Sequence, residues 1–132
     1  MVKQDFHAKM DWQTPDELEE YKQVEDIREQ LVKDKGIMSP KLNAAAMGKM
    51  AHFYARACER MGKYKAMRDR YFAELLTLDP DMKIGRAEAL SHGSEFGVKG
   101  KYYENIAAGY LEIINSLKKI QEYHEQAAKN NW

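Results

Sequence analysis

Apolar residues recur at three- and four-residue spacing along most of this chain, which is the period of an amphipathic helix. The first such segment follows Thr14-Pro15-Asp16-Glu17, where a capping threonine, a proline at the first helical position and a glutamate three residues after the cap mark a helix start. Its apolar positions are Leu18, Tyr21, Val24, Ile27, Leu31 and Val32, and its other face is acidic. Because Gly36 is the residue type that most readily ends a helix, the pattern predicts helix 1 over residues 14–35, after an N-terminal arm over residues 1–13.

The second helical segment lies between two prolines. Ser39-Pro40 repeats the start signal and Asp79-Pro80 is the next break, which predicts helix 2 over residues 40–78. Apolar residues at seven-residue intervals form a heptad seam, typical of coiled coils, and they are Met50, Ala57, Tyr64, Tyr71 and Leu78. A second stripe contains only small residues, namely Gly48, Ala51, Ala55, Cys58 and Gly62. We expect another helix to pack closely against this stripe.

The third segment, over residues 83–129, has the most regular apolar pattern in the chain. Its seam is Tyr103, Ile106, Tyr110, Ile113, Leu117, Ile120, His124 and Ala127. Gly93, Gly97 and Gly100 interrupt it, and each costs a helix about 1 kcal/mol relative to alanine. Two interpretations stay open: helix 3 is broken near residues 91–100, or these glycines meet the small stripe of helix 2, with Gly62 opposite Lys99.

The order of these segments predicts an all-α fold. Helices 2 and 3, on either side of Pro80, should form a long, coiled-coil-like antiparallel hairpin. Helix 1 should pack on the end that holds the termini, as a three-helix bundle, while the other end, roughly Glu59 to Tyr102, projects as two helices. We expect a single domain over residues 1–132.

The composition narrows the class of protein. Hydrophobic residues make up 44% of the 132 residues and charged residues 32%, which excludes a disordered polar chain and a membrane protein. No apolar run approaches the roughly 20 residues that a membrane span needs, and no signal-peptide core is present. We therefore expect a cytoplasmic protein. Cys58 is the only cysteine, so an internal disulfide is impossible.

The net charge is zero, but the charges are segregated. Residues 14–35 hold eight acids and four bases, whereas residues 41–78 hold three acids and eight bases. The basic residues that the hairpin would bring together are Arg56, Arg60, Lys63, Lys65, Arg68, Arg70, Lys99 and Lys101, with Tyr64, Tyr102 and Tyr103 among them. Such a patch can bind phosphates while a tyrosine such as Tyr102 stacks on an unpaired base. Alternatively, it is a solvated helix face partly neutralised by Glu59, Asp69 and Glu104.

No catalytic or cofactor-binding motif is present in the sequence. Glu88, His92 and Glu95 have a spacing that suits part of a metal site, but a metal centre in a helical bundle needs inward-facing Glu and His residues from several helices. The seams here contain Tyr, Ile, Leu and Met instead. We expect a protein that is not an enzyme and that uses no cofactor and no metal.

Three features define a family resemblance: a long first helix, a short turn followed by Lys83-Ile84-Gly85-Arg86-Ala87-Glu88-Ala89, and a heptad helix that begins near Tyr102. In this order they resemble the small coiled-coil helical-hairpin proteins of tailed-phage early gene clusters, which lie beside recombination and replication functions. The likeness covers Asn43 to Gln126. It implies a phage or prophage accessory protein in the host cytosol, which acts on a nucleic-acid enzyme or its substrate, or blocks a host defence.

The leading hypothesis is a non-enzymatic interaction protein that presents the hairpin to another protein, with a homodimer as one form of that partnership. Long helices with wide apolar faces bury more surface when a partner covers them. The alternative is a nucleic-acid-binding accessory protein that uses the basic patch on helices 2 and 3.

Overall fold

The computed structural model describes residues 11–33 and 38–130. They form four helices: α1 (Pro15–Lys33), α2 (Pro40–Leu78), α3 (Ile84–Gly93) and α4 (Glu95–Asn130). No strand occurs in these two ranges, so the all-α prediction is confirmed. In the same ranges, no helix combines the length and the apolar character that crossing a membrane requires.

The first two helices begin at capping side chains. The Thr14 hydroxyl accepts a hydrogen bond from the Glu17 N–H at 3.2 Å, and the Ser39 hydroxyl accepts one from the Leu42 N–H at 3.3 Å. Each bond satisfies one of the backbone donors that a helix start leaves without a partner. Both caps are those that the sequence predicts. Gly36, the predicted end of helix 1, lies outside the described residues.

Ser94 separates α3 from α4, so the segment predicted as helix 3 consists of two helices. The Ser94 hydroxyl accepts from the Gly97 N–H at 3.3 Å and donates to the Ser91 carbonyl at 2.6 Å. A Cβ on Gly97 would lie only 2.2 Å from the carbonyl oxygen of His92. The last carbonyls of α3 can therefore approach the first turn of α4 only because Gly97 has no side chain.

The predicted close packing on the small stripe of α2 is wrong. Among the described residues, nothing lies within 4 Å of a Cβ placed on Gly48 or Gly62. The α4 glycine that does approach α2 is Gly100, whose Cβ would be 3.4 Å from Lys65 Cγ. Gly62 lies about 160° around the helix from Tyr64, at 100° per residue, so the α2 face that meets α4 is nearly opposite the stripe.

The described chain divides into two compact units. The first contains the residues up to Phe53 and those from Tyr110 onwards, and the second is Tyr54–Gly109. Most of the large buried apolar side chains belong to the first unit: Tyr21, Val24, Ile27, Met38, Met50, Phe53, Tyr110, Ile113, Leu117 and Ile120. The seam predicted for helix 3 is buried from Tyr103 to Ile120, as expected.

The first unit also buries two carboxylates from the acidic face of α1, those of Glu17 and Glu20. The hydroxyl of Tyr21 donates to the Glu17 carboxylate, and that of Tyr110 donates to Glu20 Oε2 at 2.7 Å. A buried carboxylate is tolerated when it accepts hydrogen bonds, and the tyrosines supply them.

The second unit has a much smaller core. No residue from Cys58 to Leu78 is buried, and α3 buries only Ala87 and Ser91. The large side chains that the described part of this unit does bury are Tyr103 and Ile106. Leu78, predicted to be the last member of the α2 seam, is 83% exposed, so the seam ends before it.

Candidate interaction surface

Two stacked tyrosines join α2 to α4 in the second unit. The rings of Tyr64 and Tyr103 are 5.6 Å apart between centroids and within 7° of parallel. Tyr102 meets Tyr103 edge-on, at 5.1 Å and 80°. Such aromatic pairs contribute about 0.5–1.5 kcal/mol beyond the area they bury. Since Tyr103 is buried, its ring helps to hold the helices together and is not available to stack on a base.

Three of the predicted contact residues lie over these rings. The Nζ atoms of Lys63 and Lys99 are 5.6 and 5.5 Å from the centre of the Tyr64 ring. Arg60 Cζ is 5.9 Å from the centre of the Tyr103 ring. At these distances a cation is attracted by the negative face of the ring. Lys99 also pairs with the Glu95 carboxylate, and only 12% of its side chain is exposed.

Glu104 binds two more of the predicted cations. Its Oε1 lies 3.0 Å from Lys65 Nζ, and its Oε2 lies 2.9 Å from Lys101 Nζ. The hydrogen bonds from Lys101 and Lys65, followed by their positive charges, lower the pKa of Glu104 from 4.5 to about 2. The carboxylate is therefore ionised at neutral pH, where it offsets part of the positive charge of both lysines.

The remaining arginines of the patch lie on α2. The Nε and a terminal nitrogen of Arg68 donate to Asp69 Oδ1, at 3.2 and 3.1 Å. Arg70 Nε lies 3.3 Å from Glu74 Oε1. Arg56 is half-buried. At least five of the eight predicted cations are thus in ion pairs, which matches the interpretation of a neutralised helix face. Exposed pairs of this kind contribute at most about 1 kcal/mol each to stability.

The second unit also carries a group of large apolar side chains that are half-buried or exposed. Along α2 a row of large side chains is half-buried, and it consists of Tyr64, Tyr71, Phe72, Leu75 and Leu76. After the turn, Ile84 is 63% exposed, and Leu90 and Val98 are exposed as well. We call the residues Tyr71, Phe72, Leu75, Leu76, Leu78, Ile84, Leu90 and Val98 the uncovered apolar surface. The predicted heptad seam contains two of its α2 members, Tyr71 and Leu78, but α3 has no clear apolar period that would have identified Ile84 or Leu90.

The predicted spacing of Glu88, His92 and Glu95 does not assemble a metal site. Over residues 11–33 and 38–130, no three His, Cys, Asp or Glu side chains lie close enough together to hold a metal ion. Glu95 is instead paired with Lys99. Cys58 is a free, half-buried thiol.

We compared the chain with models of known protein families, with curated proteins and with solved structures. None of the three comparisons found a match. The resemblance to phage helical-hairpin proteins therefore stays a prediction, and function is inferred from the residues and contacts described above.

Proposed function

We propose that this chain is a non-enzymatic helical interaction protein, which binds another protein on the uncovered apolar surface of its second unit. One observation carries the proposal: α2 has no buried residue from Cys58 to Leu78, although it carries two tyrosines, a phenylalanine and several leucines there. Burying one leucine or isoleucine side chain stabilises a structure by about 1.5–3 kcal/mol. A partner that covers this surface gains that free energy on binding.

The distribution of the exposed apolar side chains supports this location. Nine large apolar side chains are exposed among the described residues, and four of them lie between positions 78 and 98. Single exposed apolar residues are normal, whereas a concentration of them marks a contact surface. Leu78 and Ile84 are the two most exposed members of this group, so they are the residues to test first.

In the proposed fold, α2 and α4 form an antiparallel hairpin, with α1 packed on one end as a three-helix bundle. Contacts within each unit support this. In the second unit, Arg60 contacts Tyr103, and Tyr64 contacts Lys99. The later residue of α2 thus contacts the earlier residue of α4, as expected for two antiparallel helices. In the first unit, the hydrogen bond between Tyr110 and Glu20 joins α1 to α4.

Nucleic-acid binding is the second candidate, and it keeps one supporting observation. Arg60, Lys63 and Lys99 surround the two stacked tyrosine rings. Against it, the ion pairs of the patch and the zero net charge reduce the attraction to phosphates. Fluorescence anisotropy with single- and double-stranded oligonucleotides at low salt tests it. Binding that Arg60→Glu with Lys63→Glu removes would favour this candidate over the first.

We further propose, on the resemblance of residues 43–126 to phage helical-hairpin proteins, that the chain is a phage or prophage accessory or inhibitor protein. Its partner would then be a nucleic-acid enzyme or a host defence protein. The flanking genes test this part separately, since neighbours with no role in recombination, replication or defence would contradict it.

The experiment that tests protein binding uses the full chain as bait in a lysate of its source cells. The double variant Leu78→Glu with Ile84→Glu places two charges in the uncovered apolar surface. Val32→Glu is the matched control, because Val32 is 80% exposed and lies in the first unit. Since all three sites are exposed, we expect both variants to keep the free energy of unfolding to within about 0.5 kcal/mol.

We expect the wild-type chain and Val32→Glu to capture the same protein. The double variant should capture at least about ten-fold less of it, because a loss of about 1.4 kcal/mol in binding free energy lowers the affinity ten-fold. Sedimentation of the purified chain shows whether that protein is a second copy. A partner captured equally by the double variant, or no partner at all in the wild-type sample, would remove the proposal.

A further inference from the structure

Helix α3 is held in the second unit by little buried surface. It buries only Ala87 and Ser91, which lie one helical turn apart and both have small side chains. Its two large apolar side chains, Ile84 and Leu90, are exposed. Hydrophobic stabilisation grows with the apolar area that is removed from water, so packing stabilises α3 only weakly.

The polar contacts of α3 are local. The Ser91 hydroxyl donates to the Glu88 carbonyl of the same helix at 2.9 Å, so it does not tie α3 to another helix. The hydrogen bonds of Ser94 join the end of α3 only to the start of α4, which is next to it in the chain. Within residues 11–33 and 38–130, the Arg86 and Glu88 side chains form no ion pair. Polar contacts therefore do little to hold α3 against α2.

The sequence of α3 does not favour an independent helix either. The helix has 10 residues, and isolated helices shorter than about 12–15 residues are marginal in water. Gly85 and Gly93 lie within it, and glycine is the poorest helix former after proline. Whereas α1 and α2 begin at capping hydroxyl groups, the Lys83 side chain at the start of α3 forms no capping hydrogen bond. The helical state of α3 thus depends on packing that is itself weak.

The two long helices hold each other without α3. The Tyr64 ring stacks on that of Tyr103, and Lys65 pairs with Glu104. All four residues lie outside α3 and the residues that connect it to α2 and α4. If α3 unfolds, these contacts stay intact, and residues 79–94 join the end of α2 to the start of α4 as a loop.

We propose that α3 unfolds and refolds locally while α2 and α4 stay packed, and that a partner binds the chain only when α3 is helical. Segments with few buried apolar contacts are those that open at low free energy. The second part rests on the proposed function, because Ile84 and Leu90 of the uncovered apolar surface lie on α3 and have fixed positions only in its helical state. Local order in α3 then regulates binding.

A pair of proline variants tests the local unfolding. Ala89 in α3 and Ala66 in α2 are exposed alanines within helices of the second unit, and proline breaks a helix at either position. We expect Ala89→Pro to keep the urea midpoint of the wild type to within about 0.5 M. Ala66→Pro should lower the midpoint by about 1–3 M or prevent folding. Equal losses in the two variants would overturn the proposal.

Thiol labelling measures the opening directly. In a Cys58→Ser chain, Ala87→Cys and Ala57→Cys each place a single thiol at a position with 0% exposure. Ala87→Cys should react with a soluble disulfide reagent at least about ten-fold faster than Ala57→Cys, and equal rates would contradict local opening. Should Ala87→Cys fail to fold, amide hydrogen exchange of the wild-type chain decides. Residues 84–93 must then exchange faster than residues 54–63.

Two glycine variants show whether the labelling reports on α3 itself. Among the described residues, nothing lies within 4 Å of a Cβ placed on Gly85 in α3 or on Gly62 in α2, so alanine adds helix propensity and no contact. Gly85→Ala should slow the labelling of Ala87→Cys about five-fold, and Gly62→Ala should leave it unchanged. Equal effects would mean that labelling follows the unfolding of the whole unit, which would overturn the proposal.

The role of α3 in binding is tested with the protein that the wild-type chain captures. Ala89→Pro keeps every side chain of the uncovered apolar surface but prevents the helical state of α3, so it should capture at least about ten-fold less of that protein. Equal capture would overturn the role of α3 in binding and leave the proposed function standing. If the wild-type chain captures nothing, the proposed function falls together with this role, while the proline and thiol variants still decide the local unfolding.

Discussion

Replacing Gly97 by alanine tests the contact that sets the angle between α3 and α4. The new Cβ would lie 2.2 Å from the His92 carbonyl oxygen and 2.5 Å from that of Ser91. Both are backbone atoms, so the clash cannot be relieved by rotating a side chain. The end of α3 must move away, and this strains the two hydrogen bonds of the Ser94 hydroxyl.

The cost follows from three contributions. Overpacking of this kind costs about 1–3 kcal/mol. Weakening the Ser94 cap adds about 1 kcal/mol. Alanine recovers up to about 1 kcal/mol through its better helix propensity. We therefore expect Gly97→Ala to lower the free energy of unfolding by about 1–3 kcal/mol.

The matched control is Gly62→Ala, another glycine within a helix. Nothing described lies within 4 Å of its Cβ position, so helix propensity alone should act and stabilise the chain by about 1 kcal/mol. Urea denaturation followed by far-ultraviolet circular dichroism measures both variants. A Gly97→Ala chain as stable as the wild type would refute the described α3–α4 contact. A strongly destabilised Gly62→Ala chain would show that another element packs on the small stripe after all.

Three further predictions concern single contacts. Because its pKa is lowered from 4.5 to about 2, Glu104 stabilises the fold above pH 4.5 and loses this contribution as the pH falls towards 2. Lys101→Met should raise the pKa of Glu104, which carboxyl ¹³C NMR measures. An unchanged pKa would contradict the ion pair between Lys101 and Glu104. Tyr110→Phe removes the hydroxyl donor that lies 2.7 Å from the buried Glu20 carboxylate. It should lower the free energy of unfolding, measured by urea titration, by about 1–3 kcal/mol. An unchanged free energy of unfolding would indicate that the carboxylate is not buried there. Leu117→Ala, at a side chain with 0% exposure, should cost about 2–5 kcal/mol, and a loss under 1 kcal/mol would place Leu117 outside the core.

The two units differ in how much apolar surface they bury. The first unit buries most of the large apolar side chains. The second unit buries little and leaves Leu78 and Ile84 in water.

Much of the fold could be predicted from the sequence because it depends on near neighbours in the chain. The caps at Thr14 and Ser39 act on N–H groups three residues later. The apolar period of α4 requires only that one face turns towards a core, and the seam from Tyr103 to Ile120 is buried accordingly. The basic patch was also visible, since most of its residues are close together in α2.

The contacts between helices could not be predicted in this way. Periodicity defines a broad helix face, but the rotation of each helix about its axis and its shift along the neighbour decide which atoms meet. Those two variables placed Gly100, and not Gly62, at the helix contact, and they brought Glu20 of α1 to the hydroxyl of Tyr110 on α4. They also brought the Asn43 amide to the Leu117 carbonyl, seventy-four positions later in the chain, a contact that no local motif announces. Sequence spacing therefore determined the helices of this protein, while the packing of side chains between helices decided its candidate sites.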